Sequence, residues 1–547
     1  MVSDSMKSKL VEYLGSGFSM SGGLQFGGEL YGVNGIEARR SPYSYSINGS
    51  MAFNYKGFSL PVAVSYRDAQ FSYDYTFNRI KLTPTYKWVK LHLGWSSMQF
   101  SPYTFAGKSF YGAGIELTPG KFTVAVLKGR LQNPFAIRDS LLVGASLIPI
   151  YEREILGAKI GFRSKLHRIE LMATRTADDP ESFDIPDNYI MYSYQALTPK
   201  TNITTGLVFN FKLLKRLELF ANLAGSAYTQ DNRDVTDPEL PENLPPSLAQ
   251  LYDYNSSSKV SFAGDGGITY TYKGQRLSLK YKRIDPYYSS LSTNFFINDI
   301  EQYTVQLGTS LLSSKIRLNL STGLENNNLN GYRLTTNKRA IVQGDLSINP
   351  NKNWMSNINF GNFQSTSNAG ILELNDTLRF VSTNQSYSGY TTYRIERASY
   401  TLQLGANAFY NTVIDESDAI QLGDVKILSV GISPSLQLKT LELTVGPTAS
   451  YNSYWYRDIV QERISIGGQA SKFFLEKKIR TSLNASFSFN QYNGGSDGVV
   501  GYLNSTTTYK VNKHNALTLM ASYRDAQSLL RDNFSEWRMV FRYGISF

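Results

Sequence analysis

The 547-residue chain has no cysteine and only three histidines. The first absence removes disulfides and thiolate metal sites without fixing a compartment. The histidines, His92, His167 and His514, stand far apart in sequence on different predicted hairpins and show none of the close spacing with Asp or Glu that a metal-ligand motif has. No Ser or Asp accompanies them as a nucleophile and base would require, and no phosphate-cradling glycine motif is present. The chain therefore reads as a non-enzyme, with no catalytic residue, cofactor or metal. The "GDGG" at 264–267 falls inside a strand pattern, where glycine marks a bulge or close packing. Charge is sparse at 18%, and the net +11 is spread over turns and strand faces with no dense basic block, which argues against a nucleic-acid partner. No window approaches the ~20 consecutive apolar residues of a membrane-crossing helix. Strands that cross a membrane are not excluded by this. The opening "MVSDSMKSKLVEYLGSG" lacks a basic stretch followed by an apolar core, so no signal peptide is expected there.

Strand formers fill the chain from end to end: aromatics reach 13%, with 38 Tyr, 30 Phe and 43 Gly. Their period is two. In "IRTSLNASFSFN" (479–490), Ile479, Thr481, Leu483, Ala485, Phe487 and Phe489 alternate with Arg480, Ser482, Asn484, Ser486, Ser488 and Asn490. The segments "RLSLKYK" (276–282), "IRLNLSTGL" (316–324), "TLQLGANA" (401–408) and "KILSVGISPSLQLK" (426–439) alternate in the same way. An antiparallel sandwich also alternates. Here, however, the strands are long and come in pairs joined by very short turns, with longer connections between pairs. That rhythm is the one of a transmembrane β-barrel.

Twelve basic turns mark the hairpins, at "YKGFS" (55), "YKWVK" (86), "TPGK" (118), "SKLHR" (164), "LLKRL" (213), "YKGQR" (272), "SSKIR" (313), "NPNKNW" (349), "IERAS" (395), "LKTLE" (438), "LEKKI" (475) and "KVNKH" (510). They supply 24 strands, and an opening strand near Phe18–Tyr31 and a closing strand near Trp537–Phe547 bring the predicted total to about 26, an even number as such barrels require. The expected fold is all-β: one antiparallel transmembrane barrel over residues 18–547, preceded by a short periplasmic segment, residues 1–17, in which Met6, Leu10 and Leu14 would line one side of a short helix. Short turns and both termini would face the periplasm, and the long loops the outside.

The last nine residues, "MVFRYGISF", put Met539, Phe541, Tyr543, Ile545 and Phe547 on one face and end on phenylalanine. This segment resembles the closing strand of Gram-negative outer-membrane proteins. The resemblance implies outer-membrane lipids as surroundings, and the outer-membrane assembly machinery as a partner that recognises Phe541, Tyr543, Ile545 and Phe547. Tyr- and Asn-rich strands and lysine-marked turns look most like barrels of the Bacteroidota.

The phrase "SYRDAQ" occurs twice, at 65–70 and 522–527, each time where a strand meets an outer loop. Convergence of two similar strand ends and duplication of an ancestral hairpin both account for it. Counting along the strands puts Tyr66 and Tyr523 on the lipid side, in an aromatic girdle with Trp455 and Trp537 at the outer rim, and Trp88 and Trp354 at the periplasmic rim. The same count turns Arg67, Lys280, Lys282, Arg317, Arg480, Arg524, Arg538 and Arg542 into the lumen. Such a lumen either favours anionic solutes or an acidic inserted segment, or has its cations paired with inward carboxylates.

Among the predicted outer loops, "DDPESFDIPD" (178–187), "DNRDVTDPELPENLPP" (231–246) and "VIDESDAIQLGD" (413–424) are acidic and read as solvated, since no ordered calcium-ligand ladder is visible. Two others are apolar: "SLLVGASLIPIY" (140–151), with Leu141, Leu142, Val143, Leu147 and Ile148, and "DPYYSSLSTNFFIND" (285–299), with Tyr287, Tyr288, Phe295 and Phe296. Apolar loop surface meets something: either these loops fold inward as a partial plug, or they dock a surface lipoprotein. The triplets "DSL" at 139 and "DTL" at 376 resemble the Bacteroidota O-glycosylation motif. Because a ring of about 26 strands is too wide to stay empty, the primary reading is a large gated conduit for secretion or export, closed by a partner. The alternative is a scaffold subunit of an outer-membrane complex. A lipopolysaccharide-inserting barrel ranks third, because that family's periplasmic domain and cysteines are missing here.

Overall fold

The computed structural model describes residues 17–68, 79–134, 150–182, 198–214, 216–234, 236, 254–294, 297–333, 335–369, 380–415 and 423–547. It is an all-β antiparallel sheet of 28 segments whose first strand, Phe18–Asn34, pairs with its last, Phe534–Ser546, in a register running from Gly23 opposite Ser546 to Asn34 opposite Ser535. Closure leaves no sheet edge. The 28 segments make a closed barrel of 26 strands, because two strands are each broken once by a proline. Arg79–Leu82 and Thr85–Tyr86 flank Pro84, and both pair with the same two neighbours, Phe58–Arg67 and Val89–Ser96. Val425–Ile432 and Ser435–Leu438 likewise flank Pro434 between Tyr400–Asp415 and Leu443–Tyr456. Proline has no N–H to give the ladder, so pairing lapses for a residue or two and then resumes.

All twelve basic turns fall at one end. Lys56-Gly57 and Lys273-Gly274 take positive φ at both residues (43° and 85°, 46° and 82°), the two-residue geometry whose twist matches that of the strands it joins. Most connections at the opposite end are longer, but Arg457-Asp458 and Asn493-Gly494 join their strands by two residues only. Asn-Gly is the pair best suited to positive φ at both positions, here 49° and 78°.

The pleat sorts side chains into two faces. Leu156, Ile160, Leu171, Phe262, Leu324 and Phe487 stand more than half exposed on one face, a density of open apolar surface that water does not tolerate over a whole ring. The opposite face carries Ser, Thr, Asn, Arg and Lys over most of the circumference. This apolar-out, polar-in arrangement is that of a barrel seated in lipid.

Phe541 stands on the outward face of the closing strand, opposite Leu519 and Gly28. A Phe541→Arg change puts a cation against lipid near mid-strand, at a cost of about 2–4 kcal/mol. The expected outcome is loss of the folded, heat-modifiable band in outer-membrane fractions, with Phe541→Leu behaving as the unaltered chain. Equal folded yields for Arg and Leu would contradict the outward placement.

Candidate functional site

Residues 97–109, which connect Val89–Ser96 to Phe110–Leu117, turn into the barrel. The sequence "SMQFSPYTFAGKS" spaces Met98, Phe100, Tyr103 and Phe105 two or three residues apart, and all four are almost fully buried. They lie on the inward faces of successive strands. Small residues make the room: a Cβ at Gly157 would stand 3.1 Å from the Phe100 ring, and one at Gly206 2.7 Å from the Thr104 methyl. Phe100, Phe105 and Phe110 meet edge to face or tilted at 5.8 and 6.2 Å, above Ala125, Leu127, Ile155, Met172 and Val208. This is the reverse of the lumen's usual polarity. Where the loop lies, the inward wall is apolar.

A second connection, between Gln275–Ile284 and Ile300–Leu311, lies against the first. The Tyr288 hydroxyl donates to the Tyr103 carbonyl at 2.9 Å, Ser290 and Ser292 donate to the Thr104 carbonyl, and the Lys108 ammonium donates to the Leu291 carbonyl at 2.7 Å. Both connections are also tied to the wall. Tyr103 donates to the Asp265 carboxylate at 2.8 Å, and Asn222 supports that carboxylate at 3.1 Å. Fully buried Asn202 accepts from the Leu291 N–H at 3.1 Å, Ser226 donates to the Ser289 carbonyl at 2.6 Å, and Thr174 and Ser292 place their hydroxyls 3.4 Å apart. Irregular backbone at membrane depth persists only where such partners satisfy it.

The plug's titratable groups feel this burial. Desolvation, and then the Asp265 charge, hold the Tyr103 phenol above its ordinary range, and desolvation alone raises Tyr288. Burial, reinforced by Arg153 and opposed by Asp178, brings the Lys108 ammonium down to about 8. A base lowered in the folded state favours folding when neutral, so Lys108 helps the plug above pH 10.5 and that help is lost as pH falls through about 8.

The other sequence-derived residues distribute as follows. Tyr287 is exposed beside Tyr288, with the Lys259 ammonium 4.2 Å from its ring centre. Leu141, Leu142, Val143, Leu147, Ile148, Phe295 and Phe296 lie outside the described residues, as do the two "DSL" and "DTL" triplets. Arg67, Lys280, Lys282, Arg317, Arg480, Arg524, Arg538 and Arg542 share the polar face. Lys282 stands opposite Asp265, Lys280 reaches the Phe220 ring and Arg480 the Phe473 ring, and Arg317 pairs in register with Ser310 and Ser347. Arg67, Arg524, Arg538 and Arg542 gather at the seam where the barrel closes. Tyr66 and Tyr523 take the opposite face, Tyr66 with its hydroxyl 3.2 Å from that of Tyr45, and Tyr523 opposite Trp537. Trp88 and Trp354 stand at the short-turn end, and Trp455 near the opposite end. In the closing strand Tyr543 is outward with Phe541, Ile545 opposes Leu24, and the Phe547 N–H reaches the Gly22 carbonyl at 2.9 Å. The histidines do not converge: His92 is buried 3.3 Å from Glu116, His167 packs on Phe211, and His514 meets the Ser546 carbonyl. Among the described residues no group of His, Asp or Glu is arranged to hold a metal.

Sequence reasoning missed residues 97–109 and Asp265. Two signals were available. "FTVAVLKGRLQ" (122–132) carries apolar residues on both faces, Val124 and Val126 outward and Ala125 and Leu127 inward, which a strand facing water on one side does not need. Within "GDGG", Asp265 alone points inward with a functional group.

No family model matches the chain, and no curated protein matches it. Solved structures do. The chain is similar to one from an E. coli P pilus tip assembly intermediate, PapC-PapD-PapK-PapG, at 11% identity and a TM-score of 0.44, covering 96% of this chain and 61% of that one. It is also similar to the P pilus usher (PapC) translocation pore, at 11% identity, coverage of 97% and 100%, and a TM-score of 0.38. A third is the FrpB iron transporter from Neisseria meningitidis, at 10% identity, coverage of 98% and 84%, and a TM-score of 0.39.

Two substitutions test the seating of the plug. Tyr103→Phe removes the donor to Asp265, worth about 1–3 kcal/mol when a charged acceptor loses its partner, and Tyr288→Ala empties a buried aromatic site at about 3–5 kcal/mol. Amide exchange across residues 98–106 should rise on the order of tenfold or more in both, with barrel strands unaffected. Unchanged exchange would mean that the two connections are held by something else.

Proposed function

We propose that this chain is an outer-membrane conduit for a large substrate, closed in part by its own in-folded connections and in part by a protein partner. The observation that supports the reading most is the division of the inner wall. From Val89–Ser96 to Ile300–Leu311 the wall is packed under the plug, whereas farther round the polar side chains of Ile479–Tyr492 and Phe534–Ser546, among them Arg480, Asn484 and Arg542, stand open to the lumen. A plug built of serine, threonine and asparagine hydrogen bonds is suited to reversible seating: each contributes roughly 0.5–1.5 kcal/mol and can be exchanged for one to water. A purely apolar filling would have no such exchange available. The partner, a lipoprotein or an inserted segment, would occupy the sector that the described connections leave open, and the short-turn end would face the periplasm.

Because the chain has no native cysteine, a Thr174→Cys, Ser292→Cys pair can lock the second connection to the wall, where the native hydroxyls are 3.4 Å apart. In planar bilayers the oxidised pair should hold a low, steady conductance, and reduction should restore larger, fluctuating openings. Identical traces before and after reduction would remove self-gating from the proposal.

Orientation has its own test. A single cysteine replacing Lys273 should be shielded from a membrane-impermeant thiol reagent in intact cells, and one replacing Asn493, at the opposite end, should react. The reverse pattern would invert the barrel.

A further inference from the structure

The seam where the barrel closes concentrates arginine on its lumen face. On the strands Phe18–Asn34, Tyr43–Tyr55, Phe58–Arg67, Asn515–Ala526 and Phe534–Ser546, the inward charged side chains are Arg67, Arg524, Arg538 and Arg542 against Glu29 and Glu536. Arg39 and Arg40 reach the same patch from the connection above. Six guanidiniums thus face two carboxylates.

The two acids are already engaged. Glu29 takes a two-pronged contact from Arg538 at 2.7 and 2.9 Å, with Arg40 at 3.6 Å and Arg67 at 3.7 Å. Glu536 accepts from Tyr31 at 3.2 Å and lies 3.8 Å from Arg524. Arg39 and Arg524 both approach the Phe534 ring, at 4.9 and 5.1 Å. Arg542 has no ion-pair partner among the described residues.

Register places what lies between. Reading across four strands, Arg67 stands opposite Ser46, Ser46 opposite Gly27, and Gly27 opposite Arg542. The glycine leaves a hollow of about 480 Å³ lined by Arg67, Arg538, Arg542, Glu29 and the polar side chains of Ser44, Ser46, Asn48 and Ser65. If these arginines only braced the seam, Arg538 on Glu29 would suffice. Ser65 already donates to the Asn48 amide oxygen at 2.9 Å, but Arg542 and the hydroxyls of Ser44 and Ser46 would have no partner for their donors among the described residues.

We infer that this hollow binds an oxyanion, a phosphate or carboxylate carried by a polar, hydroxyl-bearing substrate, with Arg542 and Arg67 on either side of it, while Glu29 competes for Arg538 and, more weakly, for Arg67. Planar guanidinium donors match the two-oxygen edge of such groups. The serines and Asn48 serve the substrate's hydroxyls. The inference deepens the conduit reading by giving the passage a preference for anionic cargo.

The test uses the full chain in detergent micelles, titrated by calorimetry with inorganic pyrophosphate and, as a neutral control, maltose. Pyrophosphate should bind at one per chain and maltose not at all. Arg542→Ala should weaken pyrophosphate binding on the order of tenfold, Arg542→Lys should recover part of it, and Glu29→Gln, which removes the competing carboxylate, should tighten it. Heat-modifiable mobility confirms that each variant is folded. Equal binding by the unaltered chain and folded Arg542→Ala, or binding of maltose as tight as pyrophosphate, would overturn the site; should Arg542→Ala not fold, unchanged or weaker binding by Glu29→Gln would do so. Failure of the conduit shows separately: an unaltered chain that binds pyrophosphate but stays silent in every bilayer keeps the site and loses the conduit, and one that conducts but binds no pyrophosphate loses the site alone.

Discussion

Every backbone N–H and C=O at membrane depth has to find a partner inside the protein, because lipid offers none. The barrel meets this demand by pairing the strand Phe18–Asn34 with Phe534–Ser546, so that its first and last strands satisfy each other. Most other features depend on that closure. It forces two faces on every strand, sets the apolar side outward, and leaves an interior too wide for wall side chains to fill. It also explains how two prolines are tolerated. At Pro84 and Pro434 the missing N–H interrupts the ladder for a residue or two, while the flanking residues stay paired to the same neighbours.

The same demand governs the plug. Residues 97–109 and 285–294 carry irregular backbone into the interior, and side chains partner carbonyls along it: Thr104 from Ser290 and Ser292, Ser289 from Ser226, Leu291 from Lys108. The apolar half of the contact, Phe100 and Phe105 over Leu127, Ile155 and Met172, supplies affinity for the wall. The polar half supplies position. Asp265 is where the two meet, since its carboxylate holds the Tyr103 hydroxyl while the Tyr103 ring packs edge to face with Tyr288 at 6.3 Å.

The repeated "SYRDAQ" acquires a physical meaning at the seam. Its two arginines, Arg67 and Arg524, stand on strands separated by three others across the closure, and reach Glu29 and Glu536 respectively. The neighbouring tyrosines, Tyr66 and Tyr523, turn to the other face. One short phrase thus supplies an outward aromatic and an inward cation on each flank of the joint, whichever history produced the two copies.

Period two, the twelve basic turns and the alternating carboxy-terminal strand were enough to read the class of fold, the strand number and the alternation of two faces, because the pleat is a local property and each hairpin turn is chosen by a few adjacent residues. Loops obey no such periodicity. The inward course of residues 97–109 depends on Gly157 and Gly206, on Asp265 and on Asn202, which are distant in sequence and come together only when the ring closes. The seam hollow is decided the same way: nothing local to Arg542 says that Gly27, Ser46 and Arg67 complete its row. The sequence by itself determined that successive strand residues alternate between two faces, one apolar and one polar. Only the closed barrel decided which of those residues face one another across the lumen, because register around a ring is a sum over all its hairpins and is settled only when the last strand meets the first.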